Sequence, residues 1–393
     1  MLRCAIEELE PGMVLGKSLF DQQGKLLLAA GYRLDSDYIT RIRRRGFQSV
    51  LIFKEGTDEI IPEDIISEEL RIAANQSVQK GLSEISQRAQ EFLPKSAINY
   101  SKALRDSTQF DNTLNFKELT PQIKDIVEEV LAQDVSKKLA GTLRSTGSYQ
   151  YEHAVEVMLI SLKVALVYNY DWNELRQLGT AALLHDIGYG IIPEIVNKPE
   201  NQRRLDEKML CREHPVFGSI LVDKSSEGLY IEQTSILQHH EKQDGSGYPL
   251  KKHGANEPPL PHKKGPNDLI FRHAEIISAA NVYDALVSAR PGVSPKTPVE
   301  ALAEVRKRRQ IELNQYVVDA LETIIDPYPP GCLVKIEDCS EAKFLGFVGA
   351  VKSYRKEPER LEIVLIIDPE GDEIEPEFEV FLADPKLKIL MVL

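Results

Sequence analysis

Eight histidines stand in this chain, at positions 153, 185, 214, 239, 240, 253, 262 and 273, with none before or after that span. Five of them, together with one aspartate, fall where helices are predicted to begin or end. His153 sits early on a helix running to about Val167, and His185-Asp186 ends a helix from Trp172 to Leu184, just ahead of Gly188 and Gly190. His214 precedes Pro215, a residue suited to a helix's first turn. His239-His240 closes a helix from Ile231 to Gln238 and leads into the glycine-rich run Glu241 to Pro249. Imidazole nitrogens with a shared carboxylate suit divalent transition metals such as Fe, Mn, Ni, Co or Zn. Two ions sharing a carboxylate can activate water and clamp the attacking and leaving oxygens of a phosphoester. Taken singly, His153 reads equally as a core or surface residue, and His185-Asp186 as a common dipeptide. The pair His239-His240 has no obvious packing rationale, and the ordered combination carries the metal reading.

These residues need elements that bring them together. Residues 1–62 read as a small α+β domain, with turns at Glu10-Pro11-Gly12 and around Gly24, strands at Lys25 to Ala29 and Phe47 to Phe53, and a helix capped near Asp35 between them. Residues 63–146 have helical texture: Ile65, Ile66, Leu70, Ile72, Val78, Leu82 and Ile85 recur at three- and four-residue steps, Pro94 breaks the pattern and Pro121 opens a second stretch. This segment is a helical linker or a set of extra helices on the central domain. Residues 147–325 form that domain, the helical, histidine-bearing core, in which Val157 to Val167, interrupted by Ser161 and Lys163, reads as an amphipathic helix. Asp326 to Gly331, with three prolines, stops any helix. Residues 326–393 then read as a β-rich domain with strands at Leu333 to Ile336, Phe344 to Val351, Leu361 to Ile367, Phe378 to Leu382 and Leu387 to Val392. The fold class is thus multidomain and mainly α: an all-α bundle flanked by a small α+β domain and a β-rich domain.

Composition narrows the partners. The chain has 48 basic and 61 acidic side chains among 393 residues, a net charge of −13, which disfavours coating nucleic acid. Only a locally basic pocket would take a phosphate ligand. Residues 331–393 alone carry 14 acidic and 8 basic side chains. Cys4, Cys211, Cys332 and Cys339 are too few and scattered for a disulfide framework or a paired-cysteine zinc site, pointing to a reducing compartment. The N-terminus turns acidic at once, unlike a secretory leader, and no run of about 18 apolar residues marks a membrane helix. The expectation is a cytoplasmic protein without a membrane span.

The segment HHEKQDGSGYP (239–249) resembles the signature of the HD-GYP family, the branch of the HD superfamily that hydrolyses cyclic di-GMP in bacterial signalling. HDIGYGIIPEIVNKP (185–199), EHPVFG (213–218) and AANVYDALVSARP (279–291) come in the family's order, and the likeness covers about residues 147–325. ELEPGMVLG resembles a small N-terminal domain often fused to such proteins, and PYPPGCLVKI a β-rich extension. The resemblance implies two divalent transition metals, Fe or Mn foremost. The first position falls on His153, His185, Asp186 and Asn281; the second falls on Asp186, as bridge and catalytic orienting group, with His214, His239 and His240. It implies substrate contacts at Tyr248, Gly247, Tyr189 and Arg290, and cyclic di-GMP or a related cyclic dinucleotide as ligand, opened to pGpG or GMP. The flanking domains leave room for a homodimer or a signalling partner.

Four positions depart from the family pattern. The closing aspartate of the first metal position is Asn281, which brings no charge and should weaken that site. The lysine of HDIGK is Tyr189, which cannot be cationic at neutral pH. The basic residue after Arg290 is Val293, and the glutamate that precedes the first histidine in three-metal members is Tyr149. Lys251, Lys252, His253, His262, Lys263 and Lys264, in a loop longer than the family's, are the expected source of replacement charge. The alternative reading is a chain that has lost turnover and acts as a cyclic-dinucleotide sensor or interaction module.

Overall fold

The computed structural model describes the chain apart from residues 22–23, 94–98, 134–136, 140–148, 226–227, 263–267, 291–292, 357–358 and 393. Pro94, Lys263, Lys264 and Pro291, with the side chain of Tyr149, lie outside the described residues.

The first element group comprises β1 (Leu2–Ala5), β2 (Val14–Leu15), β3 (Leu19–Phe20), β4 (Leu26–Leu28), α1 (Ser36–Arg44) and β5 (Ser49–Phe53). β1, β5 and β2 form an antiparallel sheet in that order, and β3 pairs with β4. α1 starts where Asp35 accepts a hydrogen bond from the Tyr38 amide, satisfying a donor that the first turn leaves free. Its Ile39 and Ile42 face the core.

A single apolar core then runs through α2 (Glu68–Phe92), α3 (Tyr100–Asp106), α4 (Phe116–Ala132), α5 (Tyr149–Val167), α6 (Trp172–Leu183), α7 (Pro193–Val196), α8 (Leu205–Cys211), α9 (His214–Asp223), α10 (Tyr230–Gln238), α11 (Arg272–Val287), α12 (Pro298–Lys307) and α13 (Gln315–Ile324). Ile85 of α2 and Ile123 and Ile126 of α4 belong to the same cluster as Leu159 of α5 and Leu178 of α6, so α2 and α4 are a layer of the core. Two sequence expectations are corrected. Pro121 does not open its helix; α4 begins five residues earlier and carries the proline inside. α5 is not amphipathic: residues 153–165 are buried without a break, Lys163 included, because α2, α4, α6, α11 and α13 all pack on it. Among the described residues no helix is long and apolar enough to cross a membrane.

The chain ends in β6 (Leu333–Asp338), β7 (Val348–Lys356), β8 (Glu359–Ile367), β9 (Glu373–Leu382) and β10 (Lys388–Val392). They form one antiparallel sheet of order β10-β6-β7-β8-β9. The expected strand from Phe344 starts at Val348 instead, since Gly346 at φ +86 turns the backbone after a short 3₁₀ turn. This sheet packs on the N-terminal elements: Leu2 and Ile60 share a buried cluster with Ala350, Val364 and Ile366, and the Arg3 amide donates to the Gly331 carbonyl at 2.8 Å.

Asp326 sits buried at the junction into this sheet, and burial pushes its carboxyl up to about 6, against the pull of Lys138. The folded chain therefore holds this proton more tightly than the unfolded chain. The contribution of this group to stability is greatest below about pH 4 and is lost, by up to roughly 3 kcal/mol, as pH rises through 6. Asp326→Asn should remove that loss while keeping the acceptor that meets the Tyr328 amide. Denaturant melts at pH 5 and pH 8 check this; a variant no more stable than wild type at pH 8 would refute it.

Candidate metal centre

The site is built on helix ends. His153 lies in the first turns of α5, His185 and Asp186 come just after the end of α6, His214 opens α9, and His239 caps α10 with His240 next in line. Close backbone packing holds these ends together. A side chain at Gly188 would meet the His214 carbonyl at 2.0 Å, so only glycine lets the turn after Asp186 lie against α9.

Three histidines use one device. Nδ1 of His185, His214 and His239 lies 2.8, 2.7 and 2.7 Å from the carbonyl oxygens of Ala182, Cys211 and Ile236, each three residues earlier. A carbonyl can only accept, so each Nδ1 carries the proton and each Nε2 presents a lone pair. His153 reaches the same state differently: its Nδ1 is 2.6 Å from Oδ2 of Asp284. Sequence reasoning passed over Asp284, although it lies within the AANVYDALVSARP segment.

The four Nε2 atoms converge on Asp186. Its Oδ2 lies 3.4 Å from His185 Nε2 and 3.8 Å from His153 Nε2; its Oδ1 lies 3.1 Å from His214 Nε2 and 3.7 Å from His239 Nε2. Ligand atoms of Asp186, His214, His239 and His240 fall within 4.8 Å of one another, as do those of His153, His185 and Asp186. The carboxylate is thus common to two groups, one facing each oxygen. His214 and His239 bring their Nε2 atoms to 3.2 Å, and His185 Nε2 is buried without a hydrogen-bond partner. Converging lone pairs in so buried a place repel one another unless a cation joins them, and nitrogen donors with one carboxylate fit a divalent transition metal.

Electrostatics prepare the donors. Burial pushes the Asp186 carboxyl up, but His185, His214 and His239 outweigh it and hold the group well below the usual carboxylate range. Burial lowers His239 to about 4 despite Asp186, and burial with the neighbouring His239 and His214 depresses His240 further. Both imidazoles are therefore neutral and able to ligate at neutral pH. Burial also lowers His185, yet the negative charge of Asp186 beside it carries it above its ordinary value.

Two tyrosines line the site. The Tyr189 ring stacks on His214, with centroids 4.0 Å apart, and Tyr248 stacks on His240 at 4.7 Å. Burial and the Asp186 charge push the Tyr189 phenol up, so it stays protonated and serves only as a neutral donor. Gly247 is pressed into its own loop, where a Cβ would meet the Lys242 amide at 2.4 Å. Glu241 closes that loop by accepting from the Leu250 and Lys252 amides at 2.6 and 2.8 Å.

The remaining expected residues are less central. Asn281 lies on α11 one turn before Asp284, hence on the same helix face. Arg290 pairs its backbone with Val293 just beyond α11. His262 is drawn to Asp171 and Glu174, a separate group, and His273 is buried between Tyr170 and Phe271. The His253 ring lies against Gly245, and Lys251 is exposed.

Asp284→Asn should keep the contact to His153 but remove its charge. Loss of a partner behind a ligand typically weakens metal affinity about 10–100-fold. Competition with a metal-sensitive dye checks it, and an unchanged affinity would show that the His153 contact is only structural.

Residues 127–313 match the HD domain family. A cyclic di-GMP phosphodiesterase of Pseudomonas aeruginosa is 29% identical over 227 residues, covering 56% of this chain and 50% of the relative. A cyclic di-GMP phosphodiesterase response regulator of Xanthomonas campestris is 34% identical over 150 residues, 38% of this chain and 36% of the relative. A 3'3'-cGAMP-specific phosphodiesterase of Vibrio cholerae is 24% identical over 192 residues, 49% and 34% respectively. The chain thus spans half or less of the length of these relatives. With the HHEKQDGSGYP segment supplying two of the imidazoles around Asp186, residues 127–313 carry an HD domain similar to those of cyclic di-GMP phosphodiesterases.

Proposed function

We propose that this chain is a metal-dependent phosphodiesterase that opens cyclic di-GMP to linear pGpG, or onward to GMP, in bacterial second-messenger signalling in the cytoplasm. One observation carries the reading: two groups of ligand atoms share the Asp186 carboxylate, and four of the five imidazoles that complete them have their protons held on the far nitrogen. His153, His185 and Asp186 would hold one ion, with Asn281 as a neutral fourth ligand. Asp186, His214, His239 and His240 would hold the other. Fe and Mn suit such a set, as do Ni, Co and Zn. Bound divalent ions supply positive charge to phosphoryl oxygens and make water more acidic.

The chain's own residues do the rest. Backbone carbonyls and Asp284 hold His153, His185, His214 and His239 in one tautomer, so these donors need not reorganise on loading. Tyr248, stacked on His240 beside the cluster, is a candidate nucleotide contact through its phenol, and Tyr189 offers a neutral hydrogen bond. Gly247 lets the loop that carries Tyr248 fold tightly. Arg290 is a candidate phosphate contact from beyond α11. A homodimer or signalling partner would dock through the flanking domains.

Asn281 and Tyr189 favour a second reading, a cyclic-dinucleotide sensor or interaction module without turnover. Metal analysis of the purified chain, with chromatography of cyclic di-GMP incubated with Mn(II) or Fe(II), separates the two. Up to two ions per chain and metal-dependent appearance of pGpG or GMP are expected. Binding of cyclic di-GMP without turnover moves the chain to the sensor reading. Absence of both binding and metal would overturn both.

A further inference from the structure

A cyclic dinucleotide, a dianion with one negative charge on each phosphodiester, calls for a cation beside the cluster, and the position where the family carries lysine is a tyrosine here. Among the loop residues expected to replace that charge, His262 turns to Asp171 and Glu174, and the Lys252 ammonium donates to the Leu269 carbonyl at 3.3 Å. A different basic residue stands nearer the ligands. Arg212 comes directly after the last turn of α8, two residues before His214. Its guanidinium carbon lies 5.5 Å from the centroid of the Tyr248 ring, and that ring stacks on His240 at 19°. The order guanidinium, phenol, imidazole thus leads from solvent to a ligand in two steps.

The guanidinium is also available. Arg212 is exposed, and among the described residues its side chain makes no hydrogen bond or ion pair. Arg203 in the same segment is a contrast: its guanidinium donates to the carbonyls of Val196 and Lys198 and is locked in place. The face of Tyr248 restrains Arg212 by cation–π attraction without consuming any of its N–H donors. A fork of free N–H groups held beside a metal cluster matches the paired non-bridging oxygens of a phosphodiester.

We propose that Arg212 is a second phosphate-binding cation of this site beside Arg290, taking the part that Tyr189 cannot play. The assignment rests on the phosphodiesterase reading and adds to it a substrate-binding residue. Loss of the cation weakens nucleotide binding without touching a ligand of the metals. Retention of charge in a different shape, as in lysine, recovers part of the loss, because an ammonium attracts phosphate without the paired donors.

The test is titration of the metal-loaded full chain with cyclic di-GMP, at low and high salt, for wild type, Arg212→Ala and Arg212→Lys, with metal content and melting temperature measured alongside. Arg212→Ala should raise Kd about 10–100-fold, as expected for a charge-assisted contact, and flatten its salt dependence. Arg212→Lys should fall between, and metal content should not change. Equal Kd and equal salt response for wild type and Arg212→Ala would overturn the assignment and leave the phosphodiesterase reading standing. A weaker Kd with unchanged salt response would also overturn it, since that is the mark of an arginine that only steadies Tyr248. The same titration with bis(4-nitrophenyl) phosphate, a diester without bases, separates the two levels. Wild type that binds this diester but not cyclic di-GMP overturns the choice of nucleotide, and Arg212 is then judged by the same loss on the diester. Wild type that binds neither overturns both.

Discussion

Asp186→Ala is expected to empty both metal positions and to lower phosphodiester turnover by about 10³-fold or more. The carboxylate lies within 4 Å of four imidazole Nε2 atoms and is common to both ligand groups. It is also the one negative charge that both groups share, so its loss leaves two sets of neutral donors that hold a dication poorly. Metal charge at a phosphoryl centre supplies several kcal/mol of transition-state stabilisation, and each ~1.4 kcal/mol is a factor of ten, which sets the size of the effect. Stability gives an independent readout. Ions that bind only the folded chain stabilise it, so a chelator should lower the wild-type melting temperature and leave that of the variant unmoved. Asp186→Asn, which keeps an oxygen but not the charge, should lie between. A variant retaining two ions would remove Asp186 from the bridging position.

Asn281→Asp should act in the opposite sense, filling the first position more tightly and raising turnover at limiting Mn(II). Asn281 shares a face of α11 with Asp284, the residue that orients His153, so a carboxylate there adds charge where the first group has only Asp186. Attraction between unit charges near 4 Å is about 4 kcal/mol at an effective dielectric of 20, before the cost of burying the carboxylate. A net gain on the order of tenfold to a hundredfold in affinity is the expected remainder. Without metal the variant should be slightly less stable, since like charges three residues apart on a helix repel. Metal titration at fixed protein, paired with product analysis, gives the result. Turnover in the variant alone would place the natural chain with the sensors, and identical titrations would take position 281 out of the metal site.

Much of the centre was legible before any coordinates. His185-Asp186, His214 and His239-His240 stand at helix ends that glycine, proline and apolar spacing mark out, and the structure gathers all of them, with His153, around one carboxylate. Local sequence carries this information because helix boundaries are set by capping and by residues that cannot continue the helix. The same local reading misplaced the start of α4. A proline inside a helix costs stability, but burial of Phe116, Leu119 and Ile123 on the common core outweighs it.

The residue types and their order therefore pointed to the HD domain, to the candidate ligands and to Asn281 as the departure to test. Tertiary structure alone decided what surrounds them. Asp284 reaches His153 across 131 residues of chain, Tyr189 and Tyr248 stack on different imidazoles, and Arg212 comes to rest over Tyr248. Likewise only packing made α2 and α4 part of the core and joined the N-terminal elements to the C-terminal sheet. The physical reason is common to all of these. Each is a contact beyond one helical turn or strand step, selected by burial and shape complementarity, and neither leaves a periodic trace in a single sequence.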